Sequence, residues 1–280
     1  MNYLSRNLRH IASACIALAI GMAGVNAFAQ ERRSERGFCS NENWSSDGRS
    51  SASDVREIPL SATGSLSVDS NQNGGISVMG EERGNVLVRA CIQAWGSSEA
   101  EAKALAAAIR INTSGTIKAD NPSGDKNWSV SYQILVPRST DLNLTAHNGG
   151  IHIRGVNGTA EFETQNGGVH LSDVSGSVKG RTTNGGVHVE LTGTSWRGSG
   201  LDVTTTNGGV HVSMPRNYAA HVETGTVNGG FKSNIPGLAV EDKEGYGHRA
   251  KRVSADINGG GAPIRIVTTN GGVKIGSSED

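Results

Sequence analysis

The tripeptide Asn-Gly-Gly occurs eight times in this sequence, and its regular return constrains the fold more than any other feature. From position 148 the spacing is 18 residues twice, then 23 and 21 residues. Repeats of this length are typical of chains that stack one supersecondary unit on the next, because a single unit has nothing against which to bury its apolar face. The tripeptides begin at Asn73, Asn148, Asn166, Asn184, Asn207, Asn228, Asn258 and Asn270.

Apolar and polar residues alternate on both sides of the tripeptides, as in residues 187–189 and 201–205. An alternation with a period of two predicts a strand with one buried face. Each unit is therefore predicted to be a strand, an Asn-Gly-Gly corner, a second strand and a further turn. That further turn is visible at residues 154–158 and 172–176, where Gly and Asn supply positive φ.

Two architectures fit these units: a meander of Asn-Gly hairpins, or a β-solenoid whose equivalent strands pair in parallel about 4.8 Å apart. The meander accounts for each Asn-Gly but not for the return of the whole string Asn-Gly-Gly-Val-His. In a solenoid, Asn lies on Asn and Gly on Gly, where only Gly tolerates the crowding and the dihedrals. The predicted fold class is therefore all-β, a parallel β-solenoid of short two-strand coils. Its predicted structural corners are Asn148, Gly149, Gly150, Asn166, Gly167, Gly168, Asn184, Gly185, Gly186, Asn207, Gly208, Gly209, Asn228, Gly229, Gly230, Asn270, Gly271 and Gly272.

One segment breaks the alternation and predicts a single α-helix near residues 98–110. It carries a capping box, Ser98 with Glu101, followed by an Ala-rich run. The helix is predicted to cover an end or an open face of the strands. The side chains predicted to face inward are those of Leu105, Ala108 and Ile109.

The start of the chain has the features of an export signal. Two arginines precede an apolar stretch over residues 11–25, and Ala-Phe-Ala at 27–29 resembles a cleavage site, which together predict a secretory signal peptide over residues 1–29. No later stretch reaches 18 consecutive apolar residues, so no transmembrane segment is predicted in the mature chain. The predicted location is the periplasm, the outer surface or the medium.

Beyond the leader, a polar N-terminal segment is predicted over residues 30–55 and a single solenoid domain over residues 56–280. Within that domain, residues 112–128 are predicted to form a polar loop and residues 236–252 a charged polar insertion. Residues 264–275 are predicted to supply a closing coil.

Cys39 and Cys91 are the two cysteines beyond the predicted leader. In an exported protein, one even pair predicts one disulfide. Two unpaired thiols are the alternative.

Charge and composition exclude several classes of function. Without the two leader arginines, 24 basic residues stand against 26 acidic ones, and a near-neutral chain offers nucleic acid no basic footprint. Glu161 and Glu163 share a predicted face, but Lys179 and Arg181 are their predicted neighbours and would neutralise them. No enzyme, no catalytic residue and no cofactor is predicted. Trp196 is predicted to cover the apolar edge of the coils rather than to stack on a sugar.

Four histidines each follow an asparagine of the repeat by four residues and are predicted to point outward. In register they would form one imidazole column with neighbours about 4.8 Å apart. Imidazole is the commonest metal ligand, so the column is a candidate metal site, while a generic polar ladder is the alternative. The residues are His152, His170, His188 and His211.

Several strings around the repeat resemble the bacterial putative-adhesin domain family, over about residues 56–276. That family has no established activity, and the resemblance implies β-solenoid coils and supplies no catalytic residues. The strings are residues 136–137, 142–144, 148–151, 182–187, 196–198 and 268–273.

The sequence therefore predicts a non-enzymatic, exported cell-envelope or surface protein that acts as an adhesin or a structural interaction module. The expected partner is an unknown envelope component, a surface polysaccharide or a protein. The alternative function is a metal-responsive or pH-responsive envelope sensor that uses the outward histidines.

Overall fold

A computed structural model describes residues 38–39, 49–238 and 251–278. The chain divides into two compact units, Met1–Trp44 and Ser45–Asp280, and only Phe38 and Cys39 of the first are described. The predicted signal peptide and most of the charged insertion lie outside the described residues. None of the helices in the described ranges has both the length and the apolar character to cross a membrane.

The described part of the second unit consists of strands and one helix. In chain order these are β1 (Ser50–Ser61), β2 (Ser65–Asp69), β3 (Ile76–Glu81), β4 (Asn85–Gly96), α1 (Glu99–Ala108), β5 (Arg110–Asn112), β6 (Thr116–Asp120), β7 (Trp128–Pro137), β8 (Asp141–Asn148), β9 (Ile151–Arg154), β10 (Asn157–Asn166), β11 (Val169–Ser172), β12 (Ser175–Asn184), β13 (Val187–Glu190), β14 (Gly200–Asn207), β15 (Val210–Met214), β16 (Ala220–Asn228), β17 (Phe231–Ser233), β18 (Lys251–Ile257), β19 (Pro263–Asn270) and β20 (Val273–Ser277).

The strands form two sheets of ten strands each. Sheet A has the order β1-β4-β7-β3-β9-β11-β13-β15-β20-β17, and sheet B has the order β18-β16-β19-β14-β12-β10-β8-β2-β6-β5. Most neighbours pair in parallel; the antiparallel pairs are β1 with β4, β4 with β7, β5 with β6 and β16 with β18. The prediction of an all-β chain with one helix and parallel strands is confirmed at this level.

Each Asn-Gly-Gly except the one at Asn258 follows a strand of sheet B and precedes a strand of sheet A. The unit at Asn166, for example, supplies β10 to sheet B and β11 to sheet A. Alternate residues of most strands are buried, and those from both sheets join one hydrophobic core, which includes Leu144 and Val203 from sheet B and Leu171 and Val189 from sheet A. Burial of these alternate side chains is what requires the units to stack.

The order of the units in space differs from their order in the chain. Residues 264–275, predicted as a closing coil, belong to β19 and β20, which lie between the unit of β14 and β15 and that of β16 and β17. The prediction of a terminal position is therefore wrong. The antiparallel strand β18 covers one edge of β16. The next strand, β19, therefore pairs with the other edge of β16, on the side of β14.

Helix α1 packs against β1 and β4 at one end of sheet A. Ser98 is the N-cap as predicted, and its side chain accepts a hydrogen bond from the Glu101 amide at 3.2 Å. The Glu101 carboxylate in turn accepts a hydrogen bond from the Ser97 amide at 2.8 Å. Leu105 and Ile109 are buried as expected. Ala108 is exposed, and Ala102 and Ala106 face the strands instead.

Two predicted boundaries differ from the structure. The region 112–128 contains β6, whose Ile117 and Ala119 are buried, so only part of it is loop. Strand β1 begins at Ser50, within the segment predicted as polar. Both strands lie near sheet edges, where half of the residues face solvent and the apolar alternation is weak.

Candidate functional site

The corner asparagines form a continuous column of side-chain amide hydrogen bonds. Each Nδ2 donates to the Oδ1 of the next asparagine in space at 2.7 to 3.1 Å, and the column passes from position 207 to 270 and then to 228, following the order of the strands in sheet B. Like residues at a common level are the sign of units stacked in register. In spatial order the members are Asn73, Asn148, Asn166, Asn184, Asn207, Asn270 and Asn228.

Asn258, which begins the remaining Asn-Gly-Gly, lies outside this column. It adopts a positive φ of 48° in the turn between β18 and β19, and its Nδ2 donates to the carbonyls of Arg216 and Tyr218, both at 2.9 Å. The tripeptide is thus used here as an isolated turn, so the prediction that the repeated asparagines lie on one another is wrong at this position.

The two glycines of each corner have different surroundings. A Cβ on Gly185 would lie 2.0 Å from the carbonyl oxygen of Gly167 in the neighbouring unit, whereas one on Gly186 would lie 3.4 Å from the carbonyl oxygen of Gly209. The same approach of 2.0 or 2.1 Å recurs at the first glycine of the other stacked units, Gly149, Gly167, Gly208, Gly229 and Gly271. The second glycines have more room, at 3.1 to 3.6 Å for Gly150, Gly168, Gly209 and Gly272 and with nothing within 4 Å of Gly230.

Crowding, and not backbone conformation, therefore explains the glycine at position 185. Gly185 is not among the glycines with positive φ, so the expectation that this corner needs a positive φ is wrong. Positive φ is found at the second turn, with 68° at Gly155 and 97° at Gly176, and among the first glycines of the stacked corners at Gly74 and Gly271. Glycine is favoured at the corner because adjacent backbones approach too closely for any side chain.

A buried threonine precedes most of the stacked asparagines by two residues. Its hydroxyl donates to the carbonyl of the first glycine in the neighbouring unit at 2.8 Å, which ties successive corners together from the inside. Three of these threonines are followed in the sequence by a second threonine, and only the first of each pair is buried. The residues are Thr164, Thr182, Thr205 and Thr268.

The four predicted histidines lie side by side on the outward face of sheet A. The register pairs His170 with both His152 and His188, and His188 with His211. Successive ring centroids are 5.7, 4.6 and 4.9 Å apart. Ser77 lies beyond one end of this row and Lys274 beyond the other.

Glu190 lies close to the two central histidines and was not among the predicted site residues. Its Oε1 lies 3.4 Å from Nε2 of His188 and 3.8 Å from Nε2 of His170. His188 and Glu190 are two residues apart on β13 and so project from the same face of the strand. That spacing, a carboxylate two residues after a repeat histidine, could have revealed it.

The surroundings of His170 and His211 lower the pKa of both rings. Burial, followed by the neighbouring His188, lowers the pKa of His170. Burial, His188 and then Lys274 lower the pKa of His211. Both rings therefore favour the neutral form that can offer a lone pair to a metal.

Charged side chains form rows on the outward face of sheet B. The register aligns Glu161 with Lys179, Lys179 with Asp202, Asp202 with Arg265, and Arg265 with Glu223, so the sign alternates along the row. Arg265 contacts Asp202 at 2.6 Å. In a second row, Arg181 contacts Glu163 at 2.7 Å.

A further polar cluster, which sequence reasoning missed, lies on β16 and β18. Nδ1 of His221 lies 2.7 Å from Oδ1 of Asp256, and its Nε2 lies 3.3 Å from Oγ of Ser254 and 3.5 Å from Glu223. The hydrogen bond to Asp256 raises the pKa of His221. The cluster depends on antiparallel pairing with β18, which carries no repeat signature.

Three other predicted residues can be located. Cys39 and Cys91 are both disulfide-bonded, in agreement with the single disulfide expected. Trp196 is buried, and its Nε1 donates to the carbonyl of Gly176 at 3.0 Å, so its ring covers the core and is not presented to a ligand.

The sequence model of the family described as Toastrack DUF4097 matches residues 41–276. The chain belongs to this family. The match spans nearly all of the second unit, including every stacked Asn-Gly-Gly. No curated protein matches the chain significantly.

Two solved structures are similar to this Toastrack DUF4097 chain. A putative cell adhesion protein from Clostridium sporogenes is 13% identical, with a TM-score of 0.40, over 81% of this chain and 100% of that one. A putative adhesin from Bacteroides fragilis is 12% identical, with a TM-score of 0.31, over 81% of this chain and 97% of that one.

Proposed function

We propose that this protein is an exported, non-enzymatic β-solenoid of two-strand coils that serves as a structural or adhesive module of the cell envelope. The observation that carries the proposal is the unbroken asparagine column from position 73 to position 228. A column of this kind holds successive coils in one register, so that each outward face repeats a pattern at about the strand spacing of 4.8 Å. A repeated face suits a repeated or extended partner.

The outward face of sheet B is the surface we assign to the partner. Its side chains alternate in sign from Glu161 through Lys179, Asp202 and Arg265 to Glu223. Exposed ion pairs of this sort contribute little to folding, at about 0 to 1 kcal/mol each. Their regular placement is better suited to recognition, where charge complementarity sets specificity and the rate of encounter.

Export is supported by two features. The start of the sequence resembles a signal peptide, and the disulfide-bonded Cys39 and Cys91 fit an oxidising compartment. The partner chemistry that fits a mixed-charge face is a surface polysaccharide with charged groups or an envelope protein.

The test is binding of the purified full-length mature protein to isolated envelopes of its host and to a panel of charged polysaccharides. The probe variant replaces Lys179→Glu together with Arg181→Glu, which breaks the alternation on sheet B. The control is Lys103→Glu on the exposed surface of α1, where the side chain pairs only with Glu99 among the described residues.

Binding that falls at least about tenfold in the double variant and is retained in the control supports the proposal. Equal binding by all three proteins refutes the assignment to sheet B. Turnover of any polysaccharide in the same panel, abolished by an acid substitution such as Glu163→Gln, refutes the non-enzymatic role.

A metal-responsive envelope sensor is the second candidate function, and the approach of Glu190 to His170 and His188 is the observation that favours it. Such a sensor must change its partner binding when metal is added. Envelope binding measured with Zn²⁺ and with a chelator tests this: a difference that disappears in His188→Ala supports the sensor, and equal binding refutes it.

A further inference from the structure

We propose that His170, His188 and Glu190 form a binding site for one divalent transition-metal ion, for which Zn²⁺ fits the donor set. Two imidazole nitrogens and one carboxylate oxygen lie within 4.8 Å of one another. The inference concerns this site alone and does not depend on the interaction role of sheet B.

The strand geometry holds the three ligands together. His188 and Glu190 alternate with buried Val189 on β13, and His170 is the register partner of His188 on β11. Val187 and Val189 are anchored in the core, which fixes the direction of the outward side chains between them. The site therefore rests on two rigid, hydrogen-bonded strands and not on a loop.

The distances are close to those a metal requires. Zn²⁺ lies about 2.0 to 2.2 Å from nitrogen and oxygen ligands, so neighbouring ligands of a tetrahedral site are about 3.3 Å apart. Nε2 of His188 is 3.4 Å from Oε1 of Glu190, and Nε2 of His170 is 3.8 Å from the same oxygen. Small side-chain rotations are sufficient to bring all three onto one ion.

The neighbouring charges favour binding of a cation at the centre of the histidine row and disfavour it at the two ends. Arg154 follows His152 by two residues, at the position that Glu190 holds after His188, and it would repel a cation. At the other end, Lys274 is the register partner of His211. The rings of His152 and His170 are also farther apart, at 5.7 Å, than those of His170 and His188, at 4.6 Å.

The site is partly open to solvent. The side chains of His170 and His188 are 40% and 36% exposed and that of Glu190 is 49% exposed. Two histidines and one acidic residue leave the fourth position of a tetrahedral ion to water, the arrangement of zinc sites with an open coordination position.

The test is isothermal titration of the tag-free full-length protein with Zn²⁺, supported by the visible spectrum of the Co²⁺ form, which reports the coordination geometry. We expect one ion per chain. His170→Ala, His188→Ala and Glu190→Gln are each expected to weaken binding at least about tenfold, as loss of groups at a metal site does. His211→Ala is the matched control from the same row and is expected to bind like the unchanged protein.

All four side chains point outward, so circular dichroism without metal is expected to give equal melting temperatures and to exclude a folding defect. The proposal is overturned if the unchanged protein binds no Zn²⁺. It is also overturned if Glu190→Gln binds normally, or if His211→Ala weakens binding as much as His170→Ala, because the ions would then be held by the row of histidines in general.

Discussion

Replacing adjacent glycines of one corner with alanine separates crowding from backbone flexibility. Gly185→Ala places a Cβ 2.0 Å from the carbonyl oxygen of Gly167, whereas Gly186→Ala places one 3.4 Å from the carbonyl oxygen of Gly209. The first distance demands that two backbones move apart, and the second is ordinary van der Waals contact. The two variants carry the same added methyl group at neighbouring positions, so each is the control of the other.

The cost of Gly185→Ala follows from the bonds that hold this corner to the next. Three hydrogen bonds of 2.7 to 2.9 Å join the two units at this corner. The Asn184 side-chain amide donates to the Asn166 side-chain oxygen, and the Thr182 hydroxyl donates to the Gly167 carbonyl. The backbone N–H of Val169 donates to the Gly186 carbonyl. Each of these hydrogen bonds contributes about 0.5 to 1.5 kcal/mol to stability. Because Gly185→Ala weakens all three and also strains the packing, we expect it to lower the free energy of unfolding by about 3 kcal/mol or more.

Gly186→Ala is expected to leave the free energy of unfolding within about 1 kcal/mol of its original value, because alanine restricts the unfolded chain without a clash in the folded one. For a domain of this size, 1 kcal/mol corresponds to about 2 to 4 °C, so Gly185→Ala is expected to melt at least about 6 °C lower. Thermal unfolding followed by far-ultraviolet circular dichroism measures both. Equal melting temperatures would refute the argument from crowding.

Three further predictions concern the column, the core and pH. Asn166→Ala removes two amide hydrogen bonds and is expected to lower the free energy of unfolding by about 1 to 2 kcal/mol in urea titration; no change would show that the column is not stabilising. Gly180→Ala places a Cβ 2.1 Å from the Phe162 ring and is expected to lower the free energy of unfolding by about 1 to 3 kcal/mol. Adding Phe162→Leu is expected to restore part of this loss, and additive losses in the double variant would contradict the contact. The hydrogen bond to Asp256 raises the pKa of His221, so protonated His221 stabilises the folded protein. This contribution to the free energy of unfolding is complete below the unfolded-state pKa of about 6.5 and is lost as pH rises through the folded-state pKa. The melting temperature of His221→Gln should therefore fall below that of the unchanged protein at low pH and approach it as pH rises, and a constant difference would exclude this role.

The repeat made much of the fold predictable. The alternation of apolar residues identified strands, and the repetition of a whole string, not only of Asn-Gly, favoured parallel stacking over hairpins. The family resemblance drawn from the same strings is confirmed by the match over residues 41–276. These patterns are local and each occurs several times in the sequence, which is why they could be identified without a structure.

Other features depend on contacts that no local pattern records. Asn258 has the same tripeptide as the stacked corners but adopts a positive φ in a turn, because its neighbours along the chain are the antiparallel β18 and the returning β19. The place of β19 between β14 and β16 is set by pairing across more than 40 residues. Glu190 occurs once, with no repeat to make it conspicuous, and only the register shows that it reaches both histidines.

The central structural feature of the protein is that its units stack in register but in an order that differs from their order in the chain. Disulfide trapping tests this most directly. The pair Asp202→Cys with Arg265→Cys joins register partners, whereas Asp202→Cys with Glu223→Cys joins residues two strands apart, at about 9.6 Å from the usual strand spacing. A disulfide needs Cα atoms within about 7 Å. Oxidation is expected to cross-link the first pair and not the second, and a cross-link in the second pair without one in the first would contradict the stacking order.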